Sequence, residues 1–293
     1  MTDTMQQLKQ FFHEQEDLRV FGMNGSKVNP NIPEDKFKDY DVVFFTTDLE
    51  KYIKNASFLN KFGEVLIMTE PENDPVCPNE LLKGKGYVYL VQYVDGLRID
   101  LQIRLLETLT DYLAEDSLTL IIEDKDNLVK DLPILTESDY YLTKPSQLQV
   151  ENSITEFWWM VPNILKATLR NQVLLAEFYL RLAREEVIQA ITWTIAAKEG
   201  WDKNYGKEYT HSLNYLDKET RAQLSNSFVT GDSYKILTAL REMIDLEERY
   251  GDMLVVDFNL DQEKYGEYKK IPYIYLKSKG ESILAETFKK EVS

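Results

Sequence analysis

The run Asp39-Tyr40-Asp41-Val42-Val43-Phe44-Phe45 sets two aspartates at the mouth of an apolar strand. Alternation along a strand turns both carboxylates to one face and Tyr40, Val42 and Phe44 to the other. Aspartate is disfavoured in strands and two like charges side by side repel, so the pair calls for a cationic counterpart. A hard divalent ion such as Mg2+, with oxygen ligands at about 2.0–2.1 Å and phosphates completing its shell, meets that need. Upstream, Leu18 to Met23 alternates apolar residues and reads as a strand ending at Asn24-Gly25-Ser26. Glycine there permits close backbone approach, and serine adds a hydroxyl beside free amides, a combination suited to phosphate.

The ordered set Gly25-Ser26, a spacer holding Asn29-Pro30 and Pro33, then Asp39-x-Asp41, resembles the DNA polymerase β-like nucleotidyltransferases. More narrowly, Met-Asn-Gly-Ser-Lys-Val-Asn-Pro-Asn followed by Asp-Tyr-Asp-Val-Val resembles the aminoglycoside 6-adenylyltransferases, the streptomycin-modifying branch. The resemblance implies an α+β chain: a nucleotidyltransferase domain of mixed β-sheet with flanking helices, then a mainly α-helical domain. It further implies ATP and Mg2+ as cofactors, Gly25 and Ser26 on the phosphates, Asp39 and Asp41 on the metal, and an aminoglycoside acceptor.

Charge separates the function classes. Thirty-four Lys and Arg stand against 50 Asp and Glu, a formal charge of −16, and such a field repels nucleic acid and attracts cationic ligands. A polymerase is thereby disfavoured. The 293 residues, 43% apolar, carry ample material for a core or for two. Cys77 is the single cysteine, which excludes an internal disulfide and a cysteine-based metal site. No apolar run reaches the roughly 18 residues of a membrane span, and the opening residues lack the regions of a signal peptide. A cytoplasmic protein without membrane or nucleic-acid partners is expected.

In chain order, Met5, Leu8, Phe11 and Phe12 are spaced as one helix face, with Thr2 or Asp3 as its cap. Thr46 to Phe58 reads as a second helix and Glu64 to Met68 as a short strand. Tyr87 to Val94 and Leu97 to Leu105 form a hairpin about Asp95-Gly96. Its second strand alternates Ile99, Leu101, Ile103 and Leu105 with Arg98, Asp100, Gln102 and Arg104, so Asp100 is presented on the polar face. The resemblance makes Asp100 the third carboxylate, as a metal ligand, as the base that accepts the hydroxyl proton, or as both. Pairing of Arg98 with Asp100 on an exposed face is the plain alternative. Thr119 to Glu123 and Leu128-Val129 are read as strands about an Asp124-Lys125-Asp126-Asn127 turn.

Composition turns helical near Pro145, which divides the chain into a nucleotidyltransferase domain over 1–145 and an acceptor-binding domain over 146–293. Ser153-x-x-Glu156 has the form of a capping box opening a helix interrupted at Pro162. Glu156-Phe157-Trp158-Trp159 again resembles the family, and Glu156, Trp158 and Trp159 are expected at the acceptor. Adjacent tryptophans cannot both face inward, so one is free for a ligand. Lys166 and Arg170, four apart on one face, and Lys207, after Gly206, are candidate cations for the triphosphate. Gln172 to Lys198 reads as a long helix carrying Glu177, Glu185 and Glu186; Lys218 to Val229 and Ser233 to Tyr250 follow. Beyond Asp252 the pattern looks partly extended and departs from the family.

With His13 and His211 both outside the motif strands, the base must be a carboxylate or solvent. The resemblance implies transfer of AMP to the 6-hydroxyl of the streptidine ring of streptomycin, and hence antibiotic resistance. A lincosamide or protein-side-chain acceptor, or a noncatalytic nucleotide-binding module, are the alternatives.

Overall fold

The computed structural model of the chain describes residues 4–131 and 134–289. The proposed caps Thr2 and Asp3 lie outside the described residues. The chain divides into two units, 1–139 and 140–293, a division that falls shortly before the composition shift at Pro145. It is an α+β protein, with a mixed sheet flanked by helices in the first unit and helices throughout the second.

In the first unit, β1 (Leu18–Asn24), β2 (Tyr40–Thr46), β3 (Val65–Thr69), β4 (Gly86–Tyr93), β5 (Arg98–Leu105) and β6 (Leu120–Asp124) form one six-stranded sheet in the order β3-β4-β5-β2-β1-β6. β2 and β5 pair in parallel, and the other neighbours are antiparallel. Strand alternation splits the apolar residues between two faces. Phe21, Val42, Phe44, Ile99, Leu101 and Ile103 join Leu8, Phe11 and Phe12 of α1 (Thr4–Glu14) in the larger core. Val20, Val43 and Phe45 meet Leu109 and Tyr112 of the single-turn α3 (Leu109–Tyr112) on the other face. Asp41 and Asp100 belong to this second face by their parity.

The expected helix over 46–58 is instead the short α2 (Leu49–Ile53), started by the Asp48 side chain on the Lys51 amide, then a separate 3-10 turn started by Asn55. The hairpin expected about residues 124–127 has one strand only. Asp124 accepts from the amides of Asp126 and Val129, so its side chain closes a loop where a second strand would begin.

In the second unit, α4 (Gln147–Leu169), α5 (Val173–Glu199) and α7 (Ser233–Asp257) pack together, with α9 (Ile271–Ser278) against α4. Val150, Phe157, Trp158, Ile164, Leu180, Ile191, Leu240 and Leu254 are among the residues of their common core. α4 begins earlier than Ser153: the box is Ser146 with Gln149, each side chain bonding the other's backbone amide. It also continues through Pro162, with Asn163 Nδ2 donating to the Trp159 carbonyl at 3.0 Å beside the missing amide. α6 (Lys218–Asn226), α8 (Gln262–Tyr268) and α10 (Ser282–Glu286) complete the unit. The partly extended ending expected after Asp252 is therefore helical, Pro272 standing in the first turn of α9 where it displaces no helical hydrogen bond. Among the described residues no helix is long and apolar enough to cross a membrane.

Candidate active site

Asp41 and Asp100 are direct neighbours across the parallel β2–β5 pair, one residue into β2 and two into β5, and Asp39 immediately precedes β2. Arg98 binds them into a group. Its Nε and Nη2 donate to the two oxygens of Asp100 at 2.9 and 2.8 Å, and Nη1 lies 3.5 Å from Asp39 Oδ2. The pairing of Arg98 with Asp100 suggested by the alternation of β5 is thus present, in bidentate form. Asp41 is the innermost of the three. Burial raises its acid to about 6, the charges of Asp100 and Asp39 add to this, and Arg98 opposes it.

Gly25 presses on the same carboxylate. Its φ of +75° favours glycine, and a Cβ there would stand 2.2 Å from Asp41 Oδ2. The close approach is held from beneath: Asn24, paired with Asp41 in the β1–β2 register, donates to Thr119 Oγ1 at 2.8 Å and accepts from the Tyr112 hydroxyl. Tyr112 in turn lies under the Arg104 guanidinium, 4.7 Å from the ring centre, and Arg104 forks onto Glu115 with two bonds of 2.9 Å. After Gly25-Ser26 the chain turns, the Val28 amide donating to the Gly25 carbonyl at 3.3 Å. Lys27 then sits over the Tyr40 ring at 4.4 Å, and Glu34 joins Lys27 and Lys38 at 3.1 and 3.2 Å. Lys27 and Lys38 are candidate cations that the motif reading passed over, although one adjoins Ser26 and the other Asp39.

Among the described residues no three His, Cys, Asp or Glu side chains are gathered into a metal cage. Asp100, expected to face a metal, has both oxygens in the Arg98 fork. The donor set nevertheless suits a hard divalent cation: carboxylate oxygens crowd one strand end, and burial together with the charges of Asp100 and Asp39 makes Asp41 hold a proton more readily than a free aspartate.

The helical unit distributes the remaining candidates. Trp158 is 3% exposed, edge-on to Phe157 at 5.2 Å, and belongs to the core, so it is unavailable to an acceptor as expected of it. Trp159 is 66% exposed. Lys166 donates to Asn163 at 3.1 Å, and Arg170 caps α4 one turn on, both at the surface. Lys207 opens a 3-10 turn after Gly206, exposed. Glu156 lines an open cavity of about 470 Å³ together with Ser153, Glu186, Gln189 and Trp193. Trp158, Trp159, Lys166 and Arg170 are not among its lining residues.

The streptomycin adenylyltransferase family model matches residues 1–275 of the chain. The chain belongs to the streptomycin adenylyltransferase family. Within its reach, an aminoglycoside 6-adenylyltransferase from Campylobacter jejuni is 34% identical over 218 residues, 74% of each chain. One from Staphylococcus aureus is 32% identical over 227 residues, covering 76% of this chain and 80% of the relative. A crystal structure of an aminoglycoside 6-adenyltransferase from Bacillus subtilis covers 97% of both chains at 22% identity and a TM-score of 0.42. Membership in the streptomycin adenylyltransferase family makes the chain an enzyme of the nucleotidyltransferase class.

Proposed function

We propose that the chain transfers AMP from ATP to an aminoglycoside hydroxyl with release of pyrophosphate, and that the acceptor is streptomycin, modified at the streptidine 6-hydroxyl. The observation that carries this reading is the adjacency of Asp41 and Asp100 on parallel strands, with Asp39 joined to them through Arg98 and the Gly25 backbone against Asp41. The names of the relatives support the aminoglycoside. The excess of acids supports a polycation, and repels nucleic acid. In this reading the first unit serves the nucleotide and the second the acceptor, and the work is done in the cytoplasm, where ATP is supplied.

Asp39 and Asp41 would hold the divalent ion, Mg2+ in this reading, which when bound neutralises phosphate charge as a Lewis acid. Gly25 and Ser26 offer backbone amides and a hydroxyl to phosphate oxygens. Asp100 takes the proton from the attacking hydroxyl as its oxygen bonds to the α-phosphorus and the bond to the pyrophosphate oxygen breaks. Arg98 is the positioning residue for that base, because its planar fork fixes the plane of the Asp100 carboxylate. Such a displacement depends on orientation and charge stabilisation, and needs no covalent intermediate on the protein.

The test is incubation with ATP, Mg2+ and a panel of aminoglycosides and lincosamides, reading pyrophosphate and product mass. Streptomycin gaining one AMP is the expected result, and a lincosamide product without an aminoglycoside product overturns the acceptor. Asp39→Asn and Asp41→Asn are expected to fold and lose nearly all turnover. Asp100→Asn is expected to lose roughly 10²–10⁴-fold in turnover with MgATP affinity kept, the pattern of a missing base. Loss of MgATP binding by Asp100→Asn would move that residue to the metal.

A further inference from the structure

The acids of α5 differ in kind. Glu185 pairs with Arg181 one turn back, an ordinary surface arrangement. Glu186 is half-buried and forms no ion pair among the described residues. Its Oε2 accepts from the hydroxyl of Ser153, a residue 6% exposed on α4, at 2.6 Å, and from Gln189 Nε2 at 3.4 Å. Gln189 also donates to Ser153 Oγ at 3.2 Å, so two mutually bonded polar side chains, one from each of two helices, fix one carboxylate. Both bonds to Glu186 fall on the same oxygen. Burial raises the acid above its ordinary value, the Ser153 bond opposes this, and Glu156 and Glu185 add to it.

This carboxylate stands on the wall of the 470 Å³ cavity with Glu156 and Trp193. A second cavity of about 340 Å³ shares Gln149, Gln189 and Trp193 with the first, and its further lining includes four tyrosines, Tyr205 and Tyr209 among them, and one cation, Lys144. Each volume lies within the roughly 300–1,000 Å³ of small-molecule sites. A fixed anion without a cation, beside aromatic faces, is the surrounding that a guanidinium or ammonium group on a sugar-like body fits. The guanidinium fork meets a carboxylate, and ring faces attract both cation and C–H surface. Lysine- or arginine-lined walls would instead mark a phosphate site; among the residues lining the acidic cavity there is neither.

We infer that Glu186, oriented by Ser153 and Gln189, is the anchor for a guanidinium or ammonium group of the acceptor in this cavity. The inference rests on the acceptor reading proposed above and adds the residue that selects the cation. Glu186 is a specificity residue and takes no part in the phosphoryl chemistry assigned to Asp39, Asp41 and Asp100.

Calorimetric titration of the full chain with streptomycin, without ATP, tests it. Glu186→Gln keeps the size and the bond from Ser153 and removes the charge. It is expected to raise the Kd about 10- to 100-fold, the scale of a lost hydrogen bond to a charged group. Its KM for ATP and its Tm are expected to match the parent. Glu185→Gln, the same charge change one position away, is expected to stay within a few-fold. Equal Kd for Glu186→Gln and the parent, equal weakening by both variants, or no streptomycin binding by the parent overturns the inference. Product formation with an unchanged Kd in Glu186→Gln sinks this inference and leaves the transferase reading standing. Glu186-dependent binding without product does the reverse.

Discussion

At the residue scale, Gly25 shows how a motif glycine is fixed by its neighbour's charge. Any side chain there meets two obstacles at once: the φ of +75°, which costs an L-residue about 1–2 kcal/mol, and the Asp41 oxygen 2.2 Å from its Cβ. Gly25→Ala must therefore displace the Asp41 carboxylate, since Asn24 behind it is tied to Thr119 and Tyr112. Turnover is expected to fall at least tenfold while thermal unfolding shifts by only a few degrees, on the order of the 1–2 kcal/mol conformational term. Parental turnover in Gly25→Ala would count against Asp41 as a reacting-site residue. Glu247 of α7 makes the opposite point, a charge the fold disfavours. It is 2% exposed, and neither carboxyl oxygen has a hydrogen-bond partner among the described residues. Gly251, one turn on, leaves room for it: a Cβ there would stand 2.9 Å from Oε1. Burial, with Glu186 and Asp252 adding, pushes this acid well above its ordinary 4.5. The folded state thus keeps a proton that the unfolded chain releases near 4.5, so stability falls as pH rises from that value toward the folded one. Glu247→Gln is expected to unfold at a higher temperature than the parent at pH 8 and at nearly the same temperature at pH 4. A gap that is constant with pH would mean that Glu247 is ionised in the fold.

At the element scale, α4 explains why local signals misplace boundaries. Two boxes of the same form lie one after the other, Ser146 with Gln149 and Ser153 with Glu156, and only the first caps. Val150, between them, is fully buried against the other helices, so packing extends the helix back past the second signal. Ser153, free of a capping role, turns its hydroxyl to Glu186 instead. Pro162 is overridden in the same way: Val161, Ile164 and Leu165 on either side are buried, and that burial outweighs the lost amide bond. Pro162→Ala is expected to stabilise the helical unit by about 1–3 kcal/mol in urea unfolding, up to the full penalty of a proline inside a helix. No gain would mean that the proline ring is matched to the core around it. The segment beyond Asp252 was illegible for a related reason. Val255, Ile271, Tyr273 and Tyr275 favour strands in isolation, and it is their packing on the core of α4, α5 and α7 that makes them helical. By contrast β4 and β5 are legible because buried and less buried positions alternate along them, and β1 and β2 because a continuous apolar run fills both covered faces of the sheet.

At the scale of the whole molecule, the two units were not equally readable. The carboxylates of the first unit lie in short motifs whose chemistry is written into neighbouring residues, so Asp39, Asp41, Asp100, Gly25 and Ser26 could be named from spacing and resemblance. The cavity of the second unit joins Ser153 to Glu186 across two helices, and nothing local distinguishes Glu186 from Glu177 or Glu185. Only the packing of α4 on α5 separates them. The single parallel pairing in the sheet carries one more consequence, for the order of assembly. β1 with β2 and β4 with β5 are antiparallel ladders, the latter closed by a tight turn, whereas β2 meets β5 only across the intervening α2, β3 and β4. Pairings that distant, like that of β1 with β6, close long loops and form after the local ones. Asp41 and Asp100 therefore come together late, and a chain emerging from synthesis carries both carboxylates long before they are neighbours: the cluster is born only when the middle of the sheet zips shut.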